Sequence, residues 1–520
     1  MRRYARPMGR AFAVRGIVEG FYGKPWSHSA RLDAISFLAP RGLNAYVYAP
    51  KDDAKHRADW RVPYDADERA GFRELAAHAA DHDARFGFAI SPGLDVTYEE
   101  PADRAAIFAK LEPLLDEGVP WFLLLLDDIP MQAGLASRQA QLATWLFDRL
   151  RAARADASLT LCPTEYVGTR PSAYLGDLGA GLPKEVDIMW TGPTVCSPTV
   201  RVDDARGWTE ALGGHRTILW DNTPVNDATM TRELHLGPYR GREAGLVDLL
   251  GGVLCNPMVQ PRASLVQLAT AMEFLADPDE YDAPAAWARA IEDVAGKRAT
   301  PMSVLARACA DGPLAGTAVL DLSARVDRLE RDLAGPGWAA AAADVAEELR
   351  AARALPDDLA ASGEGGPDDD LGREIAPWAH SARAAAKAGL AALKLVQQVR
   401  PAQKVDSSGA AAAVPPDAEA AMHHAFALIY MWMAARADEH VVYGPRFAIY
   451  TAVVQLPDGR PALDVGASLR EDASVIDRLC RLALADYEAW RRAPDSAAQT
   501  TADAPVPFRD ARLVEAGGEP

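Results

Sequence analysis

Nine residues constrain this chain more than any others: Trp121-Phe122-Leu123-Leu124-Leu125-Leu126-Asp127-Asp128-Ile129. Six apolar residues in succession, without polar alternation, read as a strand buried on both faces, the pattern of a parallel sheet or barrel. The run then stops on two adjacent aspartates. Charge at the end of a buried strand is costly unless it is paired or used. In a β/α barrel the C-terminal strand ends form the catalytic face. Metal ligation and helix N-capping are the other uses open to such a pair.

The same unit recurs along the first half. Short apolar strands are expected at Arg15–Glu19, Asn44–Ala49, Phe86–Ile90, Leu159–Cys162, Val186–Trp190, Thr217–Trp220 and Gly252–Cys255. Amphipathic helices separate several of them, with Leu32, Ile35 and Leu38, then Phe72, Leu75 and Ala79, then Ile107, Leu111 and Leu114, then Leu142, Leu146 and Leu150 at helical spacing. The helix between the strands at 186 and 217 is the least marked. Strand–helix alternation implies right-handed crossovers and parallel strands. Eight such units over residues 1–285 match a closed (β/α)₈ barrel, a fold of about 250 residues. Nearly every strand ends in a polar or aromatic residue: Lys51, Asp95, Asp127, Asp128, Tyr166, Trp190, Asp221, Asn222, Asn256. Converging on one face, these read as a site. Strand-end histidines, which a zinc hydrolase needs, do not cluster, and there is no P-loop glycine pattern.

Beyond residue 285 the strand signal largely vanishes, and residues 286–492 read as an all-α helical bundle. Val319, Leu322, Val326, Leu329 and Leu333 form a seam, and helices are expected at 338–355, 373–400, 417–436 and 473–491. The segments Ser362–Asp370 and Asp406–Pro416 read as loops, and residues 493–520, rich in Pro, Ala and Asp, as a disordered tail. Such a bundle serves as packing support or as a homodimer interface. The net charge of −18 disfavours a nucleic-acid partner. No apolar stretch approaches the length of a membrane span, and the basic first residues lead into no signal-type apolar region. Five scattered cysteines fit neither a disulfide framework nor a zinc cluster and imply reduced, cytoplasmic thiols.

Longer motifs make a specific resemblance. Gly16-Ile17-Val18-Glu19-Gly20-Phe21-Tyr22-Gly23, Tyr48-Ala49-Pro50-Lys51-Asp52-Asp53, Leu126-Asp127-Asp128-Ile129, Cys162-Pro163-Thr164-Glu165-Tyr166, Trp190-Thr191-Gly192-Pro193, Trp220-Asp221-Asn222 and Asn256-Pro257 occur in that order. The chain resembles family 84 of the glycoside hydrolases over roughly residues 14–275. These are the β-N-acetylglucosaminidases that include the protein O-GlcNAcases. The resemblance implies an exo-acting, retaining glycosidase in which the substrate's own acetamido oxygen is the nucleophile and an oxazoline the intermediate, an exception to the two-carboxylate displacement rule. It implies Asp127 as the residue that polarises the acetamido group and Asp128 as general acid/base. It implies that Gly20, Lys51, Asp227 and Asn256 hold sugar hydroxyls, that Tyr166 and Asn222 surround the acetamido group, and that Trp220 walls its pocket. Trp190, Asp95 and Tyr46 are weaker candidates. His28, His56, His78 and His82 read as solvated. No cofactor or metal is implied, and the partner is a glycoside or glycoprotein bearing N-acetylglucosamine.

Three other readings compete. An endo-acting, hyaluronidase-like glycosidase would need a long open groove. A metal-dependent barrel hydrolase would use Asp127, Asp128 and Asp227 as ligands. A non-enzymatic sugar-binding protein would have no need of both aspartates.

Overall fold

A computed structural model describes residues 9–310, 314, 321–362, 369–400, 402–405, 411–414, 417–444, 447–455, 461–469 and 474–492. Eight parallel strands close into a barrel in chain order: β1 (Val14–Glu19), β2 (Ala45–Tyr48), β3 (Arg85–Ile90), β4 (Trp121–Leu125), β5 (Ser158–Cys162), β6 (Asp187–Trp190), β7 (Thr217–Asp221) and β8 (Gly252–Cys255). Closure comes from β8 pairing with β1, with Gly16 opposite Leu254. The expected (β/α)₈ fold class is therefore the observed one. The apolar run of β4 is unbroken because both its faces are used. Trp121, Leu123 and Leu125 point into the barrel with Val18, Val47, Ala89 and Leu254, while Phe122, Leu124 and Leu126 join the layer under the helices.

Helices α1 (His28–Leu38), α2 (Ala66–Asp81), α3 (Pro101–Asp116), α4 (Leu135–Ala153), α5 (Ala173–Gly181), α6 (Val202–Ala211) and α7 (Pro261–Ala276) ring the strands. Their starts follow from local chemistry. Ser27 Oγ accepts from the Ala30 N–H to cap α1. At α2, Asp65 Oδ1 accepts from the Glu68 N–H and Glu68 Oε2 from the Asp65 N–H, a reciprocal capping box. The weakly marked helix between β6 and β7 exists as α6. It is the connection from β7 to β8 that lacks an α-helix and carries only short 3₁₀ turns at Ala228–Met230 and Ala244–Asp248. Pro224, Gly237, Pro238, Gly241 and Gly245 punctuate that stretch and explain the absence.

Glu19, at the end of β1, is fully buried. Its carboxylate accepts from Arg31 Nε (2.7 Å) and Nη2 (2.9 Å), from the Tyr46 hydroxyl (2.6 Å) and from the Trp26 N–H (2.9 Å). One charge thus ties α1 and β2 to β1, with both oxygens doubly satisfied.

The chain divides into two compact units. The first continues past residue 285, the boundary expected from sequence, because α8 (Ala283–Ala295) buries Ala286, Ala290 and Ile291 and its Trp287 Nε1 donates to the Leu236 carbonyl (2.6 Å). This unit also holds α9 (Ala299–Ala308), residues 357–378 and an antiparallel hairpin of Phe447–Gln455 with Pro461–Leu469. The second unit contains α10 (Asp321–Asp332), most of α11 (Trp338–Ser362), α12 (Asp370–Gln398) beyond Trp378, α13 (Ala418–Arg436) and α14 (Val475–Arg492). The seam expected from sequence is buried at Leu322, Val326, Leu329 and Leu333; Val319 lies outside the described residues. The helical reading misses the 447–469 hairpin, although Phe447–Val454 is rich in β-branched and aromatic residues and Asp458-Gly459 is a hairpin signal. It also misses the short antiparallel pair Ala402–Val405 and Ala411–Val414, whose second strand falls inside the Asp406–Pro416 segment read as a loop. The tail expected to be disordered, residues 493–520, lies outside the described residues. No described helix is long and apolar enough to cross a membrane.

Removing one partner of a buried ion pair strands the other charge. Arg31→Met is therefore expected to destabilise the barrel by about 3 kcal/mol in denaturant unfolding, with Arg31→Lys recovering part of the loss. A change below about 1 kcal/mol would contradict the role given to Glu19.

Candidate active site

The loop after β2 carries Lys51 and the end of β4 carries Asp127, and the barrel brings them together. Lys51 Nζ lies 2.5 Å from Asp127 Oδ2, with side-chain exposures of 2% and 9%. Burial by itself pushes the Asp127 carboxyl up. The charges of Lys51 and Arg57 outweigh it and hold the group below the usual carboxylate range, so Asp127 is ionised at neutral pH. Its other oxygen, Oδ1, is buried and has no hydrogen-bond partner.

Asp128 is next in the chain and differs in every respect. It is exposed, and its φ of +56° is a left-handed conformation that aspartate tolerates better than most residues. That turn separates the two carboxyl groups. Asp128 Oδ2 accepts from the Tyr22 hydroxyl and Oδ1 from the Tyr166 hydroxyl, each at 2.8 Å. Burial, followed by the Asp128 charge, raises both phenols, so they stay neutral. A hydroxyl can donate or accept, so the two tyrosines can hold Asp128 with or without its proton. The Tyr22 N–H donates to Asp227 Oδ2 (2.8 Å), and burial pushes the Asp227 carboxyl up.

Trp220, at the end of β7, forms a wall beside the carboxylates. Lys51 Nζ sits 5.6 Å above its ring. Gly20 packs so closely against the indole that an added Cβ would lie 2.2 Å from Trp220 Cζ2. Asn222 Oδ1 accepts from Trp220 Nε1 (3.0 Å) and from Asn256 Nδ2 (3.0 Å), and Asn256 Oδ1 accepts from the Gly20 N–H (3.1 Å). Gly20, Lys51, Asp127, Trp220, Asn222 and Asn256 are thus linked contact by contact, as are Tyr22, Asp128, Tyr166 and Asp227.

Other strand-end residues serve elsewhere. Asp221 is fully buried, and its carboxylate accepts from Arg242 Nε (2.7 Å) and Nη2 and from the Tyr239 hydroxyl (2.6 Å). Asp95 accepts from Trp60 Nε1 and Arg61 Nη1, both at 2.6 Å. Trp190 stacks on Trp208 and donates to the Gly168 carbonyl. Tyr46 belongs to the Glu19 cluster. His56, expected to be solvated, is fully buried. One ring nitrogen contacts the Ala89 carbonyl (2.9 Å), and burial, with the Lys51 charge, lowers the imidazole to about 3. Sequence reasoning passed over two residues near the carboxylates. Tyr22 was visible only as part of a motif, and Arg57, buried and bound to Ser91 Oγ (2.8 Å), supplies charge to Asp127. Among the described residues, no group of three or more His, Cys, Asp or Glu side chains is arranged to hold a metal ion.

A family model described as beta-N-acetylglucosaminidase matches residues 15–307, more than half of the chain. The chain belongs to that family. It is similar to the protein O-GlcNAcases of Rattus norvegicus and Mus musculus, 34% identical over 270 residues in each case, which is 49% of this chain and 29% of theirs. The matched region thus spans less than a third of those relatives. Among solved structures, a mutant of the O-GlcNAc hydrolase of Thermobaculum terrenum superposes with a TM-score of 0.73 at 29% identity, covering 83% of this chain and 91% of that one. CpGH84B superposes with a TM-score of 0.72 at 28% identity, covering 83% of this chain and 75% of the other.

With Lys51 replaced by methionine, burial opposes the Asp127 charge with only Arg57 to offset it. The Asp127 carboxyl rises, so the acid limb of a kcat/KM profile moves to higher pH, and unfolding free energy at neutral pH drops by about 3 kcal/mol. An unmoved acid limb would show that Lys51 does not hold the Asp127 charge.

Proposed function

We propose that the protein is a retaining exo-β-N-acetylglucosaminidase that removes terminal β-linked N-acetylglucosamine by substrate-assisted catalysis. The observation that carries this reading is the division of labour within one dipeptide. Asp127 is a buried carboxylate with one oxygen committed to Lys51 and the other left without a donor. Asp128 is solvent-facing and held by two hydroxyls. A buried acceptor with no partner is costly, and the N–H of an acetamido group is the donor that would satisfy it.

In this mechanism Asp127 Oδ1 accepts the acetamido N–H, which raises the nucleophilicity of the amide oxygen. That oxygen attacks the anomeric carbon as Asp128 protonates the departing glycosidic oxygen and the C–O bond breaks, giving a protonated oxazoline whose N–H stays hydrogen-bonded to the Asp127 carboxylate. Asp128, now a carboxylate, takes a proton from water, whose oxygen adds to the anomeric carbon and reopens the ring. Proton and electron pair return to their starting places, and configuration is retained. Trp220 supplies an apolar wall for the acetamido methyl group, with Tyr166 and Asn222 beside it. Gly20, Lys51, Asp227 and Asn256 orient the sugar hydroxyls. The five cysteines, all free, suit a reducing compartment, and a cytoplasmic location is part of this reading.

We also propose that the helical unit pairs two copies of the chain. Phe426, Tyr430 and Met433 project from α13 at spacings of four and three with exposures of 45%, 76% and 65%, and Met431 beside them is 36% exposed. A stripe with that spacing is self-complementary in an isologous dimer. Replacing Phe426, Tyr430 and Met433 together by glutamate is expected to convert a dimer into a monomer in sedimentation equilibrium. A wild-type chain that sediments as a monomer at micromolar concentration would overturn the pairing.

Two kinetic tests address the chemistry. Asp128→Asn is expected to lower kcat/KM about 10³-fold for an alkyl N-acetylglucosaminide, which needs protonation of its leaving group, and far less for an activated aryl glycoside. Progressive fluorination of the N-acetyl methyl group should depress the wild-type rate steeply. Equal losses on the two leaving groups would refute the acid role, and a flat fluorination series would refute the acetamido nucleophile.

A further inference from the structure

Behind the turn that carries Asp127 and Asp128 lies a set of buried polar side chains that the chemistry above does not use. Its centre is Gln139, in the second turn of α4 and fully buried. Every other buried residue of that helix is leucine or alanine. A primary amide in such a place costs free energy unless its donors and its acceptor are engaged.

All are engaged here. Gln139 Nε2 donates to Thr164 Oγ1 (2.7 Å), in the loop after β5, and to the Tyr98 hydroxyl (3.1 Å), in the loop after β3. Gln139 Oε1 accepts from the Tyr174 hydroxyl, in the first turn of α5. Tyr174 in turn accepts from the Thr164 N–H (3.0 Å), and Thr164 Oγ1 donates to the Leu126 carbonyl (2.7 Å). The direction of each proton follows. A carbonyl can only accept, so the single hydroxyl proton of Thr164 goes to Leu126, and its oxygen receives the Gln139 amide. The amide oxygen of Gln139 then faces Tyr174, which burial keeps neutral and able to donate.

The set ends on the peptide that joins β4 to Asp127. The Leu126 N–H still follows the strand ladder and donates to the Cys162 carbonyl (2.9 Å). In a continued parallel ladder the Thr164 N–H would reach the Leu126 carbonyl. That N–H goes to Tyr174 instead, and the Thr164 hydroxyl takes its place. The exchange falls one residue before Asp127 and two before the left-handed turn at Asp128. Thr164 also lies two residues before Tyr166, whose hydroxyl donates to Asp128 Oδ1. One buried hydroxyl therefore links the turn bearing both carboxyl groups to the loop bearing the tyrosine that holds one of them.

We propose that Gln139, Tyr174 and Thr164 form a positioning relay: acting through the Thr164 hydroxyl, they fix the Leu126–Asp127 peptide and keep the two carboxyl groups in register with Tyr166. The assignment rests on the glycosidase reading given above, and the three residues act through Asp127 and Asp128 rather than on the sugar. Catalytic groups lose rate steeply when displaced by a fraction of an ångström, so loss of the relay lowers turnover more than binding.

The test measures variants of the full chain on an alkyl N-acetylglucosaminide, for which both carboxyl groups are needed. Thr164→Val keeps the shape of the side chain and removes the hydroxyl. It is expected to lower kcat about tenfold while KM changes less than about twofold, and Thr164→Ser, which keeps the hydroxyl, should recover most of the loss. Gln139→Met, similar in length but unable to hold Thr164, should lower kcat about fivefold. Because Gln139 works through Thr164, the double variant should be no slower than Thr164→Val alone. Thermal unfolding of each variant, with kinetics taken well below the transition, separates turnover from loss of fold. Wild-type kcat in Thr164→Val, equal losses in Thr164→Ser and Thr164→Val, or losses that multiply in the double variant each overturn the relay, while wild-type turnover leaves the glycosidase standing. Absence of turnover by the wild-type protein overturns the glycosidase reading and the relay with it. Should Thr164→Val misfold, Gln139→Met decides, and wild-type kcat in that variant overturns the relay.

Discussion

The short contact between the Lys51 ammonium and the Asp127 carboxylate is the interaction on which the catalytic face depends. Each charge costs several kcal/mol to bury, and the barrel recovers that cost only by bringing the end of β4 against the loop after β2. Two other buried carboxylates stand on the same face, Glu19 at the end of β1 and Asp221 at the end of β7, and each also has its cation, Arg31 and Arg242. What separates the three is saturation. Glu19 accepts four hydrogen bonds and Asp221 at least three, so their charges are consumed by structure. Asp127 alone keeps a buried oxygen without a donor.

Asp128 depends on this arrangement. With Asp127 fixed, the left-handed turn at Asp128 carries its side chain to the solvent side, where Tyr22 and Tyr166 receive it from the loops after β1 and β5. Strained backbone at such a position persists because the surroundings over-determine it. The Trp220 wall has a similar logic. Gly20 is required because the indole occupies the volume of a Cβ, and Asn222 and Asn256 lock the indole edge and the Gly20 amide into one hydrogen-bonded row.

Much of the fold was legible in the chain because burial on two faces leaves an unmistakable mark: β4 has no polar residue until it ends. The β7–β8 connection misled, since eight strands suggest eight helices, yet prolines and glycines there forbid one. The hairpin at 447–469 was overlooked because helical signals surround it. For the site, strand ends supplied Lys51, Asp127, Asp128, Tyr166, Asn222 and Asn256, but position alone could not separate Asp127 from Asp221, or Trp220 from Trp190. Those distinctions lie in partners remote in sequence. Arg242 neutralises Asp221 and Trp208 covers Trp190, whereas Trp220 faces Lys51. His56 failed for the same reason. Its segment looks polar, and only the return of β3 buries it.

The sequence by itself determined that alternating strands and helices would put a row of polar residues on one rim, because side-chain periodicity and turn chemistry are local properties. The tertiary structure alone decided which of those residues are spent and which remain available. That depends on which charges and hydroxyls meet across the barrel, and such pairings between residues tens to hundreds of positions apart follow from closure of the sheet.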